Sequence, residues 1–264
     1  MPMVVNRPTP AGVMNQLLRL EQEYQKNLTL DCNITRRLAS FVGSTIESYQ
    51  KLDRAMDRAR QYIQLQDKAG GAVCSGRVIL ADRMDAAKGR FRRVWHAPEG
   101  GVWGCLLHAN TLLPSSRQFL PFAVGVACCE TMQEYGLEGA TVRWVNDVLV
   151  ADRKIAGFLI ESYTSKLTGE EYNLIGFGVN VNNSKFPDEL SAIATSLSDC
   201  LGYEVELTEF SEKFIARLAW NIALVYQEEE AFLREESYSG KDGKHLNLEK
   251  FLLLSDSLGK QVMY

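Results

Sequence analysis

Apolar residues recur at helical spacing after Thr9-Pro10-Ala11: Val13, Leu17, Leu20 and Tyr24 form one face, which predicts a helix to about Lys26. A second stripe, Tyr49, Leu52, Met56, Ala59 and Ile63, follows Ser44-Thr45-Ile46-Glu47. There an S-x-x-E capping box predicts the helix start, the serine taking the Glu47 amide while the carboxylate reaches back. Gly70-Gly71 breaks this pattern, and Arg77 to Ala81 (RVILA) reads as a buried strand. Val102 to Leu113 alternates toward strand, and the largely apolar stretch from Arg117 to Tyr135 predicts a buried helix. The period then shortens. Val142, Trp144, Val148 and Val150, then Ile155 to Ile160, then Leu174 to Val181 are three apolar segments joined by polar turns, which predicts a three-strand meander. Phe210, Phe214, Leu218, Ile222 and Val225 stripe a long helix ending near Glu230, followed by a polar linker from Glu235 to His245 and a leucine-rich tail.

Composition narrows the class. At 264 residues and 46% hydrophobic, the chain can bury the core of one large domain, or of one domain plus an appendage. A formal net charge of −4 excludes a global nucleic-acid field, leaving only a local basic patch open. The longest apolar run, Phe119 to Cys129, contains Pro121 and Gly125 and falls far short of the ~20 residues a membrane span needs. No secretory apolar segment follows Met1. Cysteines at 32, 74, 105, 128, 129 and 200 show neither C-x-x-C pairing nor metal-ligand spacing, as expected for reduced thiols in a cytoplasmic protein.

Two stretches carry more polar chemistry than a fold requires. The meander brings Asn146-Asp147, Lys154 and Gly176-Phe177-Gly178-Val179-Asn180 onto strands only about 5 Å apart. Taken singly they read as turn formers, a solvated charge and strand bulges; together they place an ammonium, a carboxylate and a carboxamide on one patch. The other stretch, Asp82 to Trp103 (DRMDAAKGRFRRVWHAPEGGVW), holds four cations between Lys88 and Arg93 and glycines at 89, 100 and 101. Such a run can be a solvated loop, a nucleic-acid patch or a triphosphate site. Attack of a carboxylate on an α-phosphate brings two anions together, and cations with backbone amides would neutralise the charge that accumulates.

The segments R-W-V-N-D (143–147), R-K-I-A-G-F-L-I-E (153–161) and G-F-G-V-N-V-N (176–182) resemble the core pattern of the catalytic domain of biotin–protein ligases: K-W-P-N-D, K-x-x-G-x-L-x-E and G-x-G-x-N-x-N. Arg143 and Val145 depart from it. The 82–103 stretch is similar to the family's ligand loop, G-R-G-R-x-x-R-x-W followed by S-P-x-G: Arg90, Arg93, Trp95, Pro98 and Gly101 match, while Ala87-Lys88-Gly89 replaces G-R-G. Ala192 to Leu197 resembles the family's T-S-L segment, and the tail from Leu252 to Tyr264 the first strand of its small C-terminal barrel.

This resemblance implies a mixed α/β (α+β), class II synthetase-like ligase catalytic domain over residues 40–235, with a mixed, largely antiparallel central sheet flanked by helices. Residues 1–39 would form a helical extension without the DNA-binding domain of bifunctional relatives, and 236–264 a linker and truncated barrel segment that docks on the main domain or pairs with a second copy in a homodimer. The implied reaction is ATP- and Mg²⁺-dependent: biotin becomes biotinyl-adenylate, then passes to a lysine of a biotin carboxyl carrier protein or domain. The resemblance makes Lys154, Arg90 and Arg93 catalytic. It assigns biotin to Ser44, Thr45, Lys88, Arg90, Lys154, Gly157, Gly176 and Gly178, with the two hydroxyls on the polar ring although Ile46 replaces the usual asparagine. ATP falls to Trp95, Asn146, Asp147 and Asn180, and the metal to Asp147 and Asn180. No nucleic acid or membrane partner is implied. A lipoate or octanoate ligase of the same superfamily, or a biotin-binding protein without ligase activity, are the competing readings.

Overall fold

The computed structural model describes residues 7–26, 31–144, 146–234 and 245–257. Within them α1 (Pro10–Tyr24) starts as expected: proline takes the first turn, and the Thr9 hydroxyl caps it by accepting from the Gly12 amide at 3.0 Å. Its apolar face (Val13, Leu17, Leu20) and the short α2 (Cys32–Ala39) pack on the long α8 (Leu207–Leu233).

The stretch after Ser44 differs from its sequence reading. Thr45–Leu52 is a strand, β1, and the helix, α3 (Ala55–Ala69), begins only beyond it. Thr45, Ile46 and Tyr49 are β-branched or aromatic, and β2 (Arg77–Met84) offers them a parallel ladder from Thr45 opposite Arg77 to Leu52 opposite Met84. That ladder outweighs one capping box, which is worth about 1 kcal/mol. Met56, Ala59 and Ile63 are buried on α3 as the stripe predicted, and Gly70 ends the helix in the left-handed conformation.

The sheet continues through β3 (Val102–Ala109), α4 (Pro114–Arg117), α5 (Leu120–Glu134), β4 (Thr141–Arg143), β5 (Asp147–Val150), β6 (Arg153–Thr164) and β7 (Glu171–Val179). Seven strands lie in the order β1-β2-β3-β7-β6-β5-β4, every pair antiparallel except β1 with β2. The sheet is mixed and largely antiparallel, as expected. The meander has four strands rather than three, because its first apolar segment folds back at Trp144–Asn146; Val145 itself lies outside the described residues. Short α6 (Asp188–Ser191) and α7 (Leu197–Leu201) lead into α8.

Alternation along the strands separates two cores. Val78, Leu80, Leu106, Ile175, Phe177 and Val179 face the layer of α1, α2, α5 and α8, whereas Ile79, Cys105, Leu107, Tyr172 and Leu174 face α3. Only half of that second face is covered by α3. The other half ends in Gly176 and Gly178, and there the cleft opens.

The tail is also corrected. Residues 252–254 close a helix, α9 (Leu246–Leu254), not a barrel strand; residues 258–264 and the linker at 235–244 lie outside the described residues. Asn247 and Phe251, four residues apart, share the buried side of this helix, with Phe251 4.7 Å from the Phe122 ring of α5. Among the described residues no helix is long and apolar enough to cross a membrane.

His108 is fully buried on β3, its Nε2 2.9 Å from the Tyr226 hydroxyl. Burial pushes its pKa from 6.5 down to about 4. The unfolded chain therefore takes up a proton near pH 6.5 that the folded chain refuses until about pH 4, so stability is lost as pH falls through this window. Denaturation of the native protein and of His108→Gln at pH 7 and pH 4.5 should show a native loss larger by about 2.5 kcal/mol, from the linkage of one such group. Equal losses would rule out a neutral, buried imidazole.

Candidate active site

Three glycines form the floor of the cleft. Gly157 on β6 stands opposite Gly178 on β7, and Gly176 lies two residues back. None has positive φ; each is needed for close approach. A Cβ on Gly178 would lie 2.6 Å from the Trp95 Nε1, one on Gly157 2.9 Å from the Trp95 ring, and one on Gly176 2.7 Å from the Met56 Sδ. Above this floor is a cleft of about 660 Å³. Arg54, Met56 and Met84 wall one end, Trp144, Lys154 and Ile193 the other, and the 87–96 loop covers it.

Lys154 is aimed by its local backbone. Ala151 and Asp152 adopt φ of 48° and 60°, the positive values that a tight two-residue hairpin between β5 and β6 requires. Lys154 then has its amide bonded to the Ile193 carbonyl at 2.8 Å and its carbonyl to the Thr195 amide at 3.0 Å. Its side chain lies along the floor, so that a Cβ on Gly157 would sit 3.1 Å from its Cε. The ammonium is 2.6 Å from Asp147 and 4.9 Å from the centre of the Trp95 ring. Lysine and aspartate are each about a third exposed (33% and 31%), so this ion pair is worth at most ~1 kcal/mol and opens readily.

The loop supplies the other cations. Met84 bonds the Ala97 carbonyl, Trp95 the Ala87 carbonyl and Gly89 the Arg93 carbonyl, at 2.8–2.9 Å, which folds the loop on itself around a turn with Phe91 at φ 55°. Lys88, Arg90 and Arg93 are exposed, and among the described residues none has a carboxylate within ion-pair distance. Arg90 instead lies 5.1 Å over the Phe91 ring. Three unneutralised cations at the mouth of a cleft form a site for a polyanion.

Other expected residues are placed differently. Ser44 and Thr45 are not in the cleft: β1 runs from Thr45 to Leu52, and the cleft opens beyond Leu52, roughly 23 Å further by strand rise. The residues at the start of α3 that line the cleft are Arg54, Ala55 and Met56, none with a hydroxyl. Asn146 lines the cleft, but its Nδ2 donates to the Phe158 carbonyl and pins β6. Asn180 is buried, donating to the Thr195 carbonyl and accepting from Asn183. With its carboxamide committed, Asn180 does not fit a metal ligand; Asp147 is paired with Lys154, and the described residues hold no group of three potential acidic, histidine or cysteine ligands. Trp95, expected on an adenine, rests on Gly157 and Gly178. Sequence reasoning missed Arg54, Met56, Met84 and Ile193 as site residues; the only signal for Arg54 was its place between Leu52 and Met56 of an apolar stripe.

Residues 48–180 match the family model described as the biotin/lipoate A/B protein ligase family. The bifunctional ligase/repressor BirA of Bacillus subtilis (strain 168) is 34% identical over 134 residues, 50% of this chain and 41% of that protein. The biotin–[acetyl-CoA-carboxylase] ligase of Paracoccus denitrificans is 30% identical over 118 residues, 42% and 45% of the two chains. The chain thus spans less than half the length of these relatives. Among solved structures, the biotin protein ligase from Aquifex aeolicus in complex with biotin and ATP has a TM-score of 0.57 at 25% identity, covering 76% of this chain and 78% of that one.

Proposed function

Because the chain belongs to the biotin/lipoate A/B protein ligase family, we propose that it activates biotin with ATP and transfers the biotinyl group to a lysine of a carboxyl-carrier domain. The observation that carries this reading is Lys154, lying along a glycine floor and facing a loop with three unneutralised cations. In the first step a carboxylate oxygen of biotin attacks the α-phosphorus and the bond to pyrophosphate breaks. Two anions must meet, and the ammonium of Lys154 with the guanidinium groups of Arg90 and Arg93 offsets their repulsion. Lys154 exchanges Asp147 for the substrate carboxylate at little cost, since the ion pair it leaves is weak. In the second step the neutral amine of the carrier lysine attacks the acyl carbon, and AMP departs with the bonding electrons.

Calorimetry with biotin and with lipoate, joined to pyrophosphate release and carrier labelling, tests the reading. Biotin is expected to bind without nucleotide and to drive pyrophosphate release. Lipoate-driven release would favour the lipoate ligase, and biotin binding without release a binding protein. Gly178→Val should reduce biotin affinity at least ~10-fold, because a branched side chain cannot share the floor with the Trp95 indole. Unchanged affinity in that variant would remove the floor from the ligand site.

A further inference from the structure

Strand β6 acts as a ruler along the cleft. Lys154 lies near its start, Gly157 follows under Trp95, Leu159 stands opposite Gly176 under Met56, and Glu161, further along, takes a hydrogen bond from Arg54 at 2.8 Å. A ligand whose carboxylate lies at Lys154 therefore points its other end at Arg54. We infer that Arg54 determines specificity there, by donating to a neutral carbonyl-type acceptor at the far end of the bound acid.

The guanidinium has donors to spare. Its side chain is only 13% exposed, one terminal nitrogen serves Glu161 and touches the Met56 sulfur at 3.2 Å, and the other has Asp57 at 3.7 Å, too far for a hydrogen bond. Its Nε also has no partner but is shut off from the surface, so the donors open to a ligand are those of the terminal nitrogen next to Asp57. Five N–H groups thus meet too few acceptors. The charge around them is already balanced: Arg54 and Arg60 face Asp57 and Glu161, and Arg60 binds both carboxylates. A second anion is not called for, whereas a neutral oxygen would satisfy the spare donors. The surroundings are otherwise apolar, Met56, Met84, Ala55 and Leu159. An aliphatic or dithiolane end would fit that lining and leave the donors unpaired, so the site should reject it relative to a ureido or amide ring.

This inference rests on the reading that an acid's carboxylate sits at Lys154. Calorimetry with biotin and octanoate, on the native protein, Arg54→Met and Arg54→Lys, tests it. Arg54→Met should lose roughly 10- to 150-fold in biotin affinity, the range of a hydrogen bond from a charged donor, with octanoate affinity unchanged. Arg54→Lys keeps the charge and a partner for Glu161 but not the fork, and should lose at least ~5-fold for biotin alone. It also serves if the methionine variant fails to fold. Equal losses for both acids would mark Arg54 as merely structural, and undiminished biotin affinity would overturn the assignment while leaving the ligase reading intact. A native protein that binds neither acid would overturn both.

Discussion

Replacing Lys154 by alanine is expected to slow biotin-dependent pyrophosphate release by roughly 10²–10³, the cost of removing one donor that stabilises developing charge. Biotin affinity should fall as well, by about the 1.5–3 kcal/mol of a charged hydrogen bond. The fold should tolerate the change. The Lys154 backbone is held at Ile193 and Thr195, and truncation leaves that double connection intact. Asp147 loses its cation, but at 31% exposure water replaces it for at most ~1 kcal/mol. Activity and stability should therefore separate: urea midpoints close to native, turnover nearly gone. Pyrophosphate release at the native rate would remove Lys154 from the reaction.

Glu130→Ala should strongly destabilise the helical layer, by about 3–5 kcal/mol. Glu130 is on α5, only 13% of its side chain is exposed, and it joins four helices. It takes a hydrogen bond from Lys250 of α9 at 2.7 Å, one from Asn221 of α8 at 2.8 Å and one from Tyr24 of α1 at 3.2 Å, with Arg217 of α8 at 3.9 Å. Truncation would leave the Lys250 ammonium without its carboxylate in a mostly buried layer, while Arg217 keeps Glu134 at 2.9 Å. A domain whose total stability is about 5–15 kcal/mol would feel this strongly. Glu130→Gln, which keeps an acceptor, should lose less. Burial alone would raise the Glu130 pKa, but Lys250 and the bonds from Lys250 and Asn221 hold it below its usual 4.5. Its contribution is thus present above that pH and fades as pH falls through the lowered value. Urea titrations of the three proteins decide the matter, and an alanine variant within ~1 kcal/mol of native would show that the network carries little. Because α9 holds Phe251 against Trp144 at the cleft wall, the same variant should also weaken ligand binding.

Much of the site was legible in the chain. Lys154, Asp147, Gly157, Gly176 and Gly178 fall on strands whose apolar alternation is strong, and two-residue periodicity fixes which residues share a face, so their convergence followed from register alone. The loop cations were visible because a basic run needs no tertiary partner to be recognised. Helices with long apolar stripes, α1, α5 and α8, were fixed equally well, since burial of such a stripe is what holds a helix in a protein.

Tertiary structure decided the rest. Residues 45–52 satisfy both a helical stripe and a strand, and only the ladder with β2, some thirty residues away, selects the strand. That choice moves Ser44 and Thr45 to the far end of β1 and brings Arg54 to the cleft. Asn146 and Asn180 look available in sequence because their backbone partners, Phe158 and Thr195, are not their chain neighbours. The tail resembles a barrel strand, yet residues 246–254 form a helix, where Asn247 and Phe251 find Asn221 and Phe122. In each case the local pattern admits two structures of nearly equal energy, and a partner distant in the chain supplies the difference.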